Sequence, residues 1–291
     1  MTNTSLSRPV VVGIDGGDDG VRALRYGVQE ARRRNTGVRL VHVPPTVVVT
    51  APMSPLYSMP DLREMGARVL DDAVAHLLEL EPDLMVEGTL GHGSRTGALV
   101  DEARQAACVV LGTREWYKLR AFGRSTSIGV AAHAACPVIA VPPSWSGESF
   151  TGRVVVGVDD HGGPDAVLER ALEAAESRDA ELLVVHGWVP PSPYEPALVN
   201  VDRQGWRKLA AQKLDEIIED SCTKHPDVRV TTSVVLDSPA ASVLESVTTD
   251  DLVVVGRHRS SVPLSQRLGS VARHAVHAGV CPVEVVPPHL H

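Results

Sequence analysis

The chain has 291 residues, too many for one ordinary domain and about right for two, and 43 % of them are hydrophobic, enough for a core in each half. Only 3 % are aromatic, so Val, Leu and Ala must fill those cores, and no aromatic platform for single-stranded nucleic acid is expected. A formal net charge of −8 argues against a nucleic-acid backbone binder, which needs a basic stripe, but leaves room for a local phosphate site made of backbone N–H groups.

The first residues, MTNTSLSRP, lack the apolar run of a secretory leader. Residues 10–14 are a β-branched apolar run, expected of a parallel strand buried on both faces. Over residues 18–34, Val21, Leu24, Val28 and Ala31 recur at helical spacing. Arg32, Arg33 and Arg34 close that helix and read as cations on a solvated face at the negative end of its dipole. Residues 38–43 form a second strand, and the Pro-rich residues 44–60 a loop long enough for a lid or a contact surface. A helix over residues 61–81 places Leu70, Ala73, Val74, Leu77 and Leu78 on its apolar side. A third strand (84–90), a third helix (96–107), a fourth strand (108–111) ending at Gly112, a fourth helix (125–135) and a fifth strand (137–141) complete the half. Strict alternation of strand and helix implies a parallel sheet covered by helices on both faces.

The second half repeats this order, with its own Pro-rich loop over residues 190–204. VVVGID ending at Asp15 returns as VVVGVD ending at Asp159, an offset of 144 residues, and His42, Pro82-Asp83 and Gly112 find His186, Pro226-Asp227 and Gly256 at the same offset. One inserted residue then aligns Cys136-Pro137-Val138 with Cys281-Pro282-Val283. Offsets preserved over a whole half mean duplication of a complete fold rather than a short repeat. The expected domains are residues 1–142 and 153–291, joined by a Pro-, Ser- and Gly-rich linker over 143–152. The four cysteines form no C-x-x-C pair and are expected to be reduced and mostly buried. No stretch approaches 18 apolar residues, so no membrane span is expected and the expected location is cytoplasmic.

The first strand ending in V-G-[IV]-D, the second in V-H, the fourth in V-V-x-G, the Gly269-Ser270 helix start and the C-P-V closing each half together resemble the universal stress protein family, over nearly the whole chain twice. The resemblance implies two tandem doubly wound α/β domains of the adenine nucleotide alpha hydrolase-like type, each with a five-stranded parallel sheet in order 3-2-1-4-5. In such a sheet the chain reverses direction between strands 1 and 4, and ligands sit beyond the carboxyl ends there. Asp15 and Gly112 mark that place in the first half, Asp159 and Gly256 in the second. The family pairs domains through the last strand, so a homodimer is expected.

ATP-binding members of the family carry G-x2-G-x9-G-[ST] after strand 4. Glycines let the backbone approach phosphate oxygens, and Gly-Ser or Gly-Thr at a helix start aims N–H groups and a hydroxyl at the anion. In the first half the frame reads Gly112, Glu115, Ser125-Thr126; only Gly112 and Thr126 survive, and Glu115 places a carboxylate where phosphates would lie. In the second half it reads Gly256, Arg259, Gly269-Ser270, with only the middle glycine lost, to a cation that suits phosphate. The resemblance therefore implies ATP, with Mg2+ as its companion, in the second domain. There Asp159, with Gly157 beside it, would meet the adenosine part, Gly187 after His186 would line the adenine pocket, and Val271 would complete it. The first-domain counterparts are Asp15, Val43, Gly112 and Thr126, expected to form a weak or empty site.

The stretch from Gly91 to Gly97 mimics a dinucleotide fingerprint, but its spacing is G-x-G-x3-G and strand 3 should lie at the sheet edge, away from the crevice. His274 and His277 lack further ligands at useful spacing for a metal, and no G-x-S-x-G elbow or catalytic carboxylate pair stands out. Three readings stay open: a non-catalytic nucleotide-binding stress protein, a nucleotide-free interaction protein, and a slow ATPase relying on phosphate positioning alone.

Overall fold

The computed structural model describes residues 8–45, 59–114, 125–147, 150, 152–158, 165–187, 203–235, 237–257 and 268–288. The chain divides into two compact units, Met1–Gly147 and Glu148–His291. The first contains β1 (Val10–Ile14), α1 (Asp18–Arg33), β2 (Val38–His42), α2 (Met59–Leu80), β3 (Val86–Leu90), α3 (Arg95–Glu102), β4 (Cys108–Gly112), α4 (Thr126–His133) and β5 (Val138–Val141). The second contains β6 (Val154–Val158), α5 (Asp165–Glu176), β7 (Leu182–Gly187), α6 (Arg203–Cys222), β8 (Val230–Val235), α7 (Pro239–Glu245), β9 (Leu252–Gly256), α8 (Ser270–Ala278) and β10 (Val283–Val286). Strands within each unit pair in parallel, in the order β3-β2-β1-β4-β5 and β8-β7-β6-β9-β10. The expected 3-2-1-4-5 order therefore holds twice, and each unit has its reversal point between its first and fourth strands.

The central strands are apolar throughout because helices cover both faces. Val10, Val12 and Ile14 of β1 join Ala23, Tyr26 and Ala31 of α1 and Leu70 and Leu77 of α2 in one cluster. Gly13 points the other way, where a Cβ would lie 2.5 Å from a methyl of Leu111 and 3.3 Å from one of Leu99 in α3. The second unit repeats the scheme with Val154, Val156 and Val158 against Leu168, Leu172, Leu214 and Ile218. Each such side chain contributes roughly 1.5–3 kcal/mol by leaving water. The ends of α1 and α5 are alike in detail. Asn35 (φ 49°) and Asp179 (φ 50°) take the left-handed conformation that short polar side chains tolerate. Beyond them the Thr36 N–H donates to Ala31 O at 2.9 Å and the Ala180 N–H to Ala175 O at 3.0 Å, closing the same helix-ending motif.

Among the differences between the two cores is one matched pair of positions that carries charge in the second. In the first unit buried Tyr26 meets Trp145 edge-on at 5.1 Å, and Ile139 on β5 is fully buried. Their counterparts in the second unit are Arg170 and Glu284. Arg170 Nε donates to Glu284 Oε1 at 2.6 Å and its Nη2 to Oε2 at 3.4 Å, and Glu284 is wholly buried. A fully buried carboxylate is tolerable there because a two-pronged cation neutralises it.

Several sequence expectations shift. α2 begins at Met59, so Pro60 lies in its first turn, where a missing N–H costs nothing. α3 ends at Glu102 rather than at residue 107. The Arg32–Arg34 run is not simply a solvated face: Arg33 and Arg34 pair with buried Glu30 at 2.9 and 3.3 Å, and Arg32 pairs with Glu81. Cys108, Cys136 and Cys281 are buried and Cys222 is half-buried, all as free thiols. Most of the two Pro-rich loops, residues 46–58 and 188–202, lies outside the described residues. No helix among the described residues is long and apolar enough to cross a membrane.

Candidate functional site

A cavity of about 710 Å³ opens at the reversal point of the first unit. The ends of β1 and β4 form its floor, through Ile14, Asp15 and Gly112. The first turn of α1 adds Asp18, Asp19 and Arg22, the end of β2 adds Val41 and Val43, and the start of α4 adds Ser125, Thr126 and Ser127. Asp15, Val43, Gly112 and Thr126, nominated from sequence, thus line one hollow.

The floor is set by two local devices. His42, 8 % exposed at the end of β2, sits with Nδ1 3.0 Å from the Ile14 carbonyl. A carbonyl can only accept, so that nitrogen carries the proton and clamps β2 to the end of β1. Gly112 lies so close to α1 that a Cβ would come 2.1 Å from the Asp19 carbonyl oxygen, which only glycine permits. The walls carry balanced charge. Arg114 donates from Nη2 to Asp15 Oδ2 at 3.0 Å and from Nε to Asp19 Oδ2 at 3.1 Å, and Arg22 pairs with Asp19 Oδ1. Asp15 Oδ1 accepts the Gly17 N–H at 3.0 Å. Arg95 also lines the cavity from the start of α3, and no side chain among the described residues pairs with it. The stretch after β3 was expected to lie away from the crevice; β3 is at the sheet edge, but the short connection over residues 91–94 carries Arg95 back to the rim.

In the second unit His186 repeats the clamp, Nδ1 lying 3.0 Å from the Val158 carbonyl. β9 ends at Gly256, where, among the described residues, a Cβ would lie 2.9 Å from a Val167 methyl. The Arg257 N–H donates to Val286 O at 2.8 Å, as Thr113 does to Val141 O at 2.9 Å. The adenine-side position is remodelled. In the first unit Val43 lies against Gly91, whose Cβ would meet a Val43 methyl at 2.8 Å. In the second the two residue types change places: Gly187 pairs with Val235, and a Cβ on Gly187 would lie 2.6 Å from Pro239 Cα. Gly269 is the N-cap of α8 and has no side chain with which to cap it, whereas Ser125 caps α4 by accepting the Ile128 N–H at 3.4 Å. α8 lies against β9 and β10, with Leu268 buried beneath its start, Ser270 exposed and Val271 half-buried. Asp159 and Arg259 lie outside the described residues, as does Glu115 in the first unit.

The family model for the universal stress protein family matches twice, over residues 7–142 and 151–287. The chain belongs to the universal stress protein family. A universal stress protein of Mycobacterium tuberculosis strain ATCC 25618 / H37Rv is 30 % identical over 299 residues, covering 95 % of this chain and 94 % of its own. A universal stress protein of Mycolicibacterium smegmatis is 28 % identical, covering 99 % of this chain and 100 % of its own. Among solved structures, a universal stress protein from Archaeoglobus fulgidus DSM 4304 superposes with a TM-score of 0.70 at 17 % identity, covering 97 % of this chain and 96 % of its own, and so shares the fold. The first-unit cavity and the matched strand ends of the second unit lie at the reversal points of universal stress protein sheets. Sequence reasoning did not find the Arg114 ion pairs, Arg95 or the Gly–Val exchange. Only the exchange left a trace, in the alignment of the two halves.

Proposed function

We propose that this universal stress protein is a non-catalytic, nucleotide-responsive protein that binds an adenine nucleotide, ATP with Mg2+, in its second unit. The observation that carries the reading is the start of α8. Its cap is Gly269, which has no side chain to accept from the first-turn N–H groups. An anion placed over them gains both hydrogen bonds and the positive end of the helix dipole. In the first unit Ser125 already accepts from that turn and bonds Ser127 at 2.9 Å. In this reading Ser270 adds a hydroxyl, Gly256 allows close backbone approach, and Arg259 supplies charge. Gly157 and Asp159 face the adenosine part, with Gly187 and Val271 at the adenine. Assembly as a homodimer and a cytoplasmic location belong to the same proposal.

Calorimetric titration tests it. Wild type takes up one ATP per chain, and Gly269→Glu, which puts a carboxylate and its bulk at the cap, removes that uptake. Equal ATP binding by wild type and Gly269→Glu would refute the site. Steady phosphate release that disappears in Ser270→Ala would replace the binding reading with a slow ATPase.

A further inference from the structure

The first unit carries a charge arrangement whose residues are not all matched at the same positions of the second. Four side chains run across the cavity rim in series: Asp15, Arg114, Asp19 and Arg22. Each oxygen of Asp15 is engaged within the chain, Oδ2 by Arg114 and Oδ1 by the Gly17 N–H. Each oxygen of Asp19 is engaged too, by Arg114 and Arg22. The two Arg114 bonds span 99 and 95 residues of sequence and tie the chain after β4 to the end of β1 and the first turn of α1. The approach depends on Gly112, and Thr113 anchors the base of Arg114 through its N–H to Val141 O at 2.9 Å. At the 144-residue offset, Asp19 and Arg114 correspond to Gly163 and His258, so the second unit lacks the bridge's residues at the matched positions.

We infer that Arg114 is a latch that withholds the first-unit cavity from an adenine nucleoside by occupying Asp15, the carboxylate such a ligand would use. The inference rests on the reading that these crevices take adenine ligands. A ligand that reaches Asp15 must first separate the guanidinium from two carboxylates. The latch is partly solvated, since the Arg114 side chain is 53 % exposed, so it is weak enough to open and it responds to salt. The first-unit cavity then takes a nucleoside only when Arg114 is drawn away.

Adenosine is the probe, because it carries no phosphate to compete for Arg114. In the full chain with the second site removed (Gly269→Glu), Arg114→Ala should tighten adenosine binding about two- to thirtyfold, and Arg114→Gln, which keeps the side chain's length without its charge, should act in the same direction. Raising salt from about 0.05 M to about 0.5 M should tighten adenosine binding when Arg114 is present and leave it unchanged in Arg114→Ala, a response that a merely structural arginine would not produce. Equal affinities with and without Arg114, or an absence of salt response in the parent, would overturn the latch. If wild type binds ATP in the second unit while Arg114→Ala gains no adenosine, the latch alone fails. If wild type binds no ATP, the nucleotide reading of the second unit fails, and the Arg114 comparison still decides the first.

Discussion

Gly112→Ala and Gly256→Ala make the same chemical change at matched positions and should have very different consequences. At Gly112 the added carbon would lie 2.1 Å from the Asp19 carbonyl oxygen, 2.6 Å from its carbonyl carbon and 2.9 Å from its Cβ. Non-bonded heavy atoms settle at roughly 3.5 Å or more, so the end of β4 or the first turn of α1 must move by about 1 Å. What it meets is backbone, which cannot rotate aside, so the cost belongs at the upper end of the overpacking range, about 3 kcal/mol. At Gly256 the added carbon would meet, among the described residues, one Val167 methyl at 2.9 Å, which can turn away. That cost is about 1 kcal/mol and is largely offset by the ~0.4–1 kcal/mol that alanine contributes by restricting the unfolded chain. Neither glycine has a positive φ, so backbone strain does not enter. For a unit of this size about 1 kcal/mol shifts Tm by ~2–4 °C, so Gly112→Ala should lower the melting of the first unit by roughly 6–12 °C and Gly256→Ala should move the second unit by less than about 2 °C. Differential scanning calorimetry of the full chain reads both. Equal shifts for the two variants would refute the argument that β4 is pressed against α1 backbone.

Arg170→Ala should destabilise the second unit by about 3–5 kcal/mol, because it leaves Glu284 buried without its two-pronged cation. The double replacement Arg170→Tyr with Glu284→Ile, which copies Tyr26 and Ile139 of the first unit, should recover most of that loss in denaturant unfolding. His225 concerns pH. Burial alone would lower its pKa, but hydrogen bonds and charge from Glu176 and Glu169 outweigh burial and hold it above the ordinary imidazole value. A raised folded value means that its stabilisation is complete below the unfolded value and is lost as pH rises through the folded one. Melting curves across neutral pH should therefore show wild type losing stability with rising pH in that window, with His225→Gln flattening the loss; an unchanged profile in the variant would remove His225 as its source.

The architecture was legible because its causes are local. A β-branched run such as VVVGI can only be a strand buried on both faces, and Val21, Leu24, Val28 and Ala31 describe one helix face wherever they lie. The recurrence of V-G-[IV]-D after 144 residues fixed the duplication without any contact being known. Gly112 could be placed at a strand end because a glycine's role, close backbone approach, is written in its lack of a side chain, and it lines the first-unit cavity. Helix limits were read less well, since tertiary packing rather than propensity decides where α3 stops.

What sequence alone determined is the repeated fold and, in each copy, the strand ends that meet at its reversal point, both consequences of short-range pattern. The tertiary structure decided which side chains meet there. Arg114 reaches Asp15 across 99 residues, Arg170 finds Glu284 across 114, and Arg95 returns from an edge strand to the cavity rim. Pairings at such separations depend on strand register and on how closely a helix seats against a strand end, and no local spacing of residues encodes either.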